Sequence, residues 1–179
     1  MASFGARIVG AMQLKATTFE DVEHDRTATL QAAAVVVLAQ LAQGLGALRF
    51  GSITNVALAV VAGTIGWVIG AGVVLVVGTR LFPAKTTEAD MGQMLRTLGF
   101  AEAAGLLGVL GLVPALSWIV YAVCSVWILI AMVIAVRQAL DYDSTTRAIV
   151  VCIVAWIVML AIQLVASFLG VGTAVVANQ

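Results

Sequence analysis

Five long apolar runs leave this chain little choice of solvent. They fall at about residues 28–48, 53–78, within 95–117, 115–136 and 148–175, separated by short polar segments. A helix of about 20 apolar residues crosses the roughly 30 Å hydrocarbon core of a bilayer. Only 10% of the residues are charged, against about a quarter in soluble domains, so most of the surface must face lipid. The runs predict an all-α polytopic membrane bundle of five transmembrane helices. Short interfacial helices are expected at the N-terminus and before the third span. Residues 1–26 then form a cytoplasmic or interfacial segment, and residues 27–179 a five-helix transmembrane domain.

The third run organises the rest. Between Leu95 and Ser117 it carries Gly105, Gly108 and Gly111 at three-residue spacing, so one face is nearly bare backbone. Small residues let neighbouring helices come close in lipid. Pro114 ends the run, and only a very short turn can precede the bulky fourth span with Trp118, Tyr121 and Trp127. The third and fourth spans are therefore expected to form a tight helical hairpin. The second span offers Gly63, Gly66 and Gly70 as another packing face, with Gly66 and Gly70 in a GxxxG spacing. The first span holds Gln31, Gln40 and Gln43. Gln40 and Gln43 share a face that should look into the bundle, because amides in hydrocarbon need partners. The fifth span contains Gln163 and Gly170.

The flanking segments carry their own signals. Phe4, Ile8 and Met12 recur at helical spacing beside Arg7 and Lys15, which suits a short helix at the interface. Residues 17–26 hold Glu20, Asp21, Glu23 and Asp25, four of the nine acids, and read as a solvated acidic segment. Thr17 with Glu20 and Thr18 with Asp21 fit a capping box, and Asp25 or Thr27 can cap the first span. After Pro83, Thr87 with Asp90 fits another box. Met91, Met94, Leu95 and Leu98 follow on one face, with Gln93, Arg96 and Thr97 opposite. This predicts a surface helix that turns at Gly99 into the third span. Arg137 and Asp141 are spaced to pair.

With five spans, Arg7, Lys15, Arg26, Arg80, Lys85, Arg96, Arg137 and Arg147 lie on one side, and Arg49 alone on the other. Positive-inside bias then places the N-terminus in the cytoplasm and the C-terminus outside.

Catalytic chemistry finds little support. The single histidine, His24, lies outside the spans, and no nucleophile, base and orienting group can be assembled within them. Cys124 and Cys152 sit inside apolar runs and behave as small hydrophobes. No cofactor or metal site is expected, and the Asp141 and Asp143 pair reads as solvated. Zero net charge argues against nucleic acid. There is no charged leader followed by a compact apolar core, so no cleavable signal peptide is expected. Glu102 is the one carboxylate within an apolar run. An acid at the bilayer centre costs about 2.5–3.5 kcal/mol on insertion scales. A place near the cytoplasmic helix N-terminus just past Gly99, with help from Arg96, would relieve that cost.

Several stretches together resemble the Yip family of five-span membrane proteins, in its prokaryotic branch. They are F-E-D-V-E-H-D-R-T-A-T-L-Q-A (Phe19 to Ala32), P-A-K-T-T (Pro83 to Thr87), L-R-T-L-G-F-A (Leu95 to Ala101), Pro114, W-I-L-I-A-M-V-I-A-V-R-Q-A-L (Trp127 to Leu140) and T-R-A-I (Thr146 to Ile149). The resemblance implies five helices with a cytoplasmic N-terminus, in a prokaryotic inner membrane. Eukaryotic members bind Rab GTPases and one another, but this chain lacks their long N-terminal region, and that role does not carry over. The family brings no catalytic residues. The expected function is that of a scaffold or accessory subunit, with lipids and other membrane proteins or a second copy as partners. The rival is a small transporter or channel with a polar path through Gln31, Gln40, Gln43, Glu102 and Gln163, and a third reading is membrane shaping through the interfacial segments Met1 to Ala16 and Thr87 to Leu98.

Overall fold

The computed structural model describes residues 2–85 and 87–168. Two short helices come first, α1 (Phe4–Met12) and α2 (Ala16–His24). Five long ones follow: α3 (Ala28–Gly46), α4 (Ile53–Val76, closing in a π turn Val77–Leu81), α5 (Met91–Ala101, continuing as a 3₁₀ helix Glu102–Leu112), α6 (Ser117–Ala139) and α7 (Thr145–Phe168). Each is long and apolar enough to cross a bilayer, with α5 and its 3₁₀ extension forming one crossing. The polytopic all-helical bundle read from the sequence is thus the fold. The expected end of the fifth span, from Leu169 through Gly170 to Val175, lies outside the described residues.

The third crossing is the centre. Of its most apolar stretch 61% is buried, against 17–33% in the other four. Its second half is eleven residues of 3₁₀ helix, where runs beyond three or four are uncommon. The glycine spacing suits this form. At 3.0 residues per turn, residues three apart eclipse, so Gly105, Gly108 and Gly111 stand in one straight row. α3 lies along that row. The larger rise per residue of the 3₁₀ form also lengthens the crossing to about 38 Å, enough for the hydrocarbon core. The turn Val113–Leu116 then leads directly into α6, giving the tight third-to-fourth hairpin.

The helix starts differ from the sequence reading. α2 begins at Ala16 after Lys15 with no side-chain cap, so neither Thr17 nor Thr18 opens it. α5 is opened by a box one turn later than expected. Asp90 Oδ1 accepts from Gln93 N at 2.9 Å, and Gln93 Oε1 accepts from Asp90 N at 2.6 Å. Thr87 works elsewhere: its hydroxyl accepts from Ala84 N and donates to Leu140 O. α5 also runs through Gly99 without turning. Gly99 packs on Ala32 so closely that an added Cβ would lie 2.8 Å from the alanine methyl. At the other end of the loop pair, Tyr142 Oη stands 3.0 Å from Gly78 O and 2.7 Å from Phe82 O. It fastens the α6–α7 loop to the π turn of α4. Arg137 donates to Tyr142 O, Asp143 O and Thr145 Oγ1, closing the C-terminal end of α6 with a cation where the helix dipole favours one.

Candidate functional site

The polar chemistry collects in two places, the N-terminal hairpin and the face of α3 against the third crossing. In the first, Arg7 on α1 is 1% exposed. Its Nε donates to Asp21 at 2.9 Å, its Nη2 to Asp25 at 2.6 Å and its Nη1 to Gln31 Oε1 at 3.0 Å. Burial opposes the Arg7 charge, but the bonds to Asp25 and Asp21 outweigh it and raise the guanidinium pKa. The Thr27 hydroxyl, and then Arg7, hold the Asp25 carboxyl down at about 2. Asp25 also accepts from Thr27 N at 2.9 Å, before the helix begins, and Thr27 at the cap position makes no side-chain cap bond, so the capping of α3 expected of either residue is not made. The acidic segment is therefore not merely solvated: Asp21 and Asp25 neutralise a buried cation. A lone arginine on an apolar helix, with acids fourteen and eighteen residues on, was the available signal.

A second buried arginine sits beside it. Arg96 is 5% exposed, not on the outer face the periodicity gave it. Its Nε donates to Val22 O at 2.9 Å and Glu23 O at 3.1 Å, and its Nη2 also donates to Glu23 O. These are C-terminal carbonyls of α2, which lack helical partners and favour a cation. α2 packs on the face of α5 that carries Gln93 and Arg96, which is why Arg96 is buried. Glu23 accepts from Gln93 Nε2 at 3.2 Å. Burial pushes its carboxyl up to about 7, with a further push from Asp141 and opposition from His24 and Arg96. Glu23 and His24 line a polar cavity of about 480 Å³ with Arg137 and Asp141. Among the described residues no group of three or more His, Cys, Asp and Glu could hold a metal ion.

In the second place, the glutamines meet glycines. A Cβ on Gly63 would lie 2.5 Å from Gln40 Cδ. One on Gly105 would lie 2.7 Å from Gln43 Nε2 and 3.0 Å from Ala39 Cβ. One on Gly108 would lie 2.6 Å from Gln43 Cγ and 2.9 Å from its Cα. Gly46 faces the carbonyl of Gly108 with no room for a side chain. Gly111 sits under Tyr121, whose hydroxyl donates to Gln43 O at 3.0 Å and joins α6 to α3. Gln43 Nε2 bonds back to Ala39 O at 3.4 Å. The other two glycines differ. Gly66 and Gly70 have nothing within 4 Å of an added Cβ. They open onto apolar clefts between α4 and α7, where exposed Gln163 also lies.

Glu102 starts the 3₁₀ helix and is partly buried. Its side chain makes no hydrogen bond or ion pair among the described residues. The helix begins at Met91, so Glu102 lies about 16 Å along the crossing and away from the N-terminal dipole. Arg96 is engaged by α2 and does not serve it. The five residues of the supposed polar path are thus scattered: Gln31 on Arg7, Gln40 and Gln43 in helix crossings, Glu102 in the third span, Gln163 on an outer cleft.

Five apolar crossings, four of them around a buried third, define a polytopic helical membrane protein. A family model for the Yip1 domain matches residues 10–166 of the 179, and the chain belongs to the Yip1 domain family. No curated protein and no solved structure matches it.

Proposed function

We propose that this Yip1-domain protein works without catalysis, as a scaffold or accessory subunit within a membrane assembly. The observation that carries this reading is where the interior polar groups go. Gln31 bonds to Arg7 of α1, and Gln40 and Gln43 are packed against glycines of other helices. The faces left over are apolar. Little of α4, α6 and α7 is buried, only 17–22% of their most apolar stretches, and a cleft of about 400 Å³ between them is lined by Gly70, Val74, Met132 and Trp156. Gly66 and Gly70 are the natural place for a partner helix to approach, whether from another membrane protein or from a second copy. Gentle extraction and native mass measurement test this. A defined stoichiometric assembly that persists on dilution is the expected result, and a lone monomer under every mild extraction would refute it.

The orientation belongs to the same reading. The eight-to-one division of Lys and Arg supports a cytoplasmic N-terminus in an inner membrane. Reporter fusions at Gly51 and Tyr142 should be active only outside and only inside, respectively, and the reverse pattern would invert the assignment. One observation favours the rival transporter, the unpartnered Glu102 within a span.

A further inference from the structure

The N-terminal hairpin does not sit where a surface helix would. Trp127 lies in the middle of α6, about 18 Å from the helix end at Ala139. Its indole N–H donates to Met12 O at 2.8 Å. Met12 is the last residue of α1, so its carbonyl lacks an intrahelical partner. Two polar groups are matched to one another at a depth where water is absent and each would otherwise be costly. Just beyond, the chain reverses at Leu14, with φ at 58°. Leu14 shares an apolar groove with Val123, Val126 and Ile130, the exposed face of α6. That face belongs to a crossing with mean hydropathy of 2.8, and an exposed apolar face of such a helix meets acyl chains.

The return leg agrees. α2 runs back from this reversal until His24 reaches the Arg137–Asp141 end of α6. Phe4 on α1 packs edge-on against Phe100, four residues past Arg96. Arg7 is buried and is neutralised within the hairpin by Asp21 and Asp25, so its charge does not require contact with water. Lys15 is exposed at the reversal and is a charge that this placement must accommodate.

We propose that the α1–α2 hairpin is set into the leaflet on the N-terminal side of the bundle, beside α6, with Val9 and Leu14 against lipid acyl chains. The partner of this surface is the hydrocarbon itself, not the headgroup layer and not another protein. The protein then places extra helical volume in one leaflet only. This goes beyond the accessory role and stands whether or not an assembly forms.

Depth measurement tests it on the full chain. With Cys124 and Cys152 replaced by alanine, single cysteines at Val9, Gln13, Val126 and Ser144 take a nitroxide label. The protein is reconstituted in phosphatidylcholine–phosphatidylglycerol vesicles, and collision rates with oxygen and a water-soluble nickel chelate are read by spin resonance. Val9 and Gln13 are both exposed, so labels there leave packing intact. Nickel accessibility at Val9 and Gln13 should match Val126, lower than at Ser144 by about an order of magnitude. Nickel accessibility at Val9 equal to that at Ser144 would overturn the proposal, placing the hairpin in water or among headgroups.

Discussion

Gly108→Leu is expected to cost the bundle about 3 kcal/mol or more, beyond the usual 1–3 kcal/mol of an overpacked site. The obstacle explains the size. A Cβ at Gly108 meets Gln43 Cγ at 2.6 Å, but also Gln43 Cα at 2.9 Å and its backbone nitrogen at 3.1 Å. A side chain can rotate away, and a helix backbone cannot. α3 must therefore withdraw, taking with it the Gly46 contact and the Tyr121 bond to Gln43 O. Two comparisons isolate the cause. Val109→Leu adds bulk to the neighbouring residue, which is exposed, and Gly66→Leu adds it where nothing lies within 4 Å. Thermal melts in one detergent should rank Gly108→Leu far below the other two. Equal melting of all three would mean that α3 does not lie on the glycine row.

Arg7→Met should be the most damaging change outside the five crossings. Methionine keeps much of the apolar stem and removes the charge. It leaves Asp21, Asp25 and Gln31 without their shared donor. Breaking a buried pair costs about 3–5 kcal/mol. The side chain of Asp21 is 39% exposed and screened by water, so the loss here is expected lower, at roughly 2–3 kcal/mol. Limited proteolysis gives the local readout: cleavage within residues 13–27 should rise along with the fall in melting temperature. Asp21→Asn, which leaves the Asp25 pair in place, should be milder. A variant that melts like the parent and resists protease equally would show that the ion cluster does not hold the hairpin down.

The crossings were legible because hydropathy over twenty residues reports directly on the solvent a helix needs. The glycine row was legible for the same kind of reason, since three-residue spacing is a property of the chain alone. That Gly105 to Gly111 would wind as 3₁₀ was not. The α and 3₁₀ forms differ by one residue in hydrogen-bond register, and a tertiary neighbour, here α3, accompanies the choice. Arg96 shows another limit. Helical periodicity assigns a charge to the outer face, but α2 arrives from seventy residues earlier with open carbonyls and makes burial acceptable. Arg7 is the converse case, a charge on a helix that looked interfacial, drawn inside by acids that looked merely soluble. Gly63, Gly66 and Gly70 read alike in sequence, yet Gly63 meets Gln40 and the other two meet open space. Spacing gives the face of a helix and does not say which neighbour occupies it.

The claim that the protein acts by packing and not by transport turns on Glu102. The most direct measurement is ion flux through the purified protein in liposomes, compared with Glu102→Gln and with protein-free vesicles. Glutamine keeps the shape and the hydrogen-bonding capacity and removes the ionisable group. Packing as the function predicts no proton- or cation-driven flux above the protein-free level, for the parent and the variant alike. Flux in the parent that Glu102→Gln abolishes, in a protein whose thermal melt is unchanged, would contradict it and make the carboxylate the working group of a transporter.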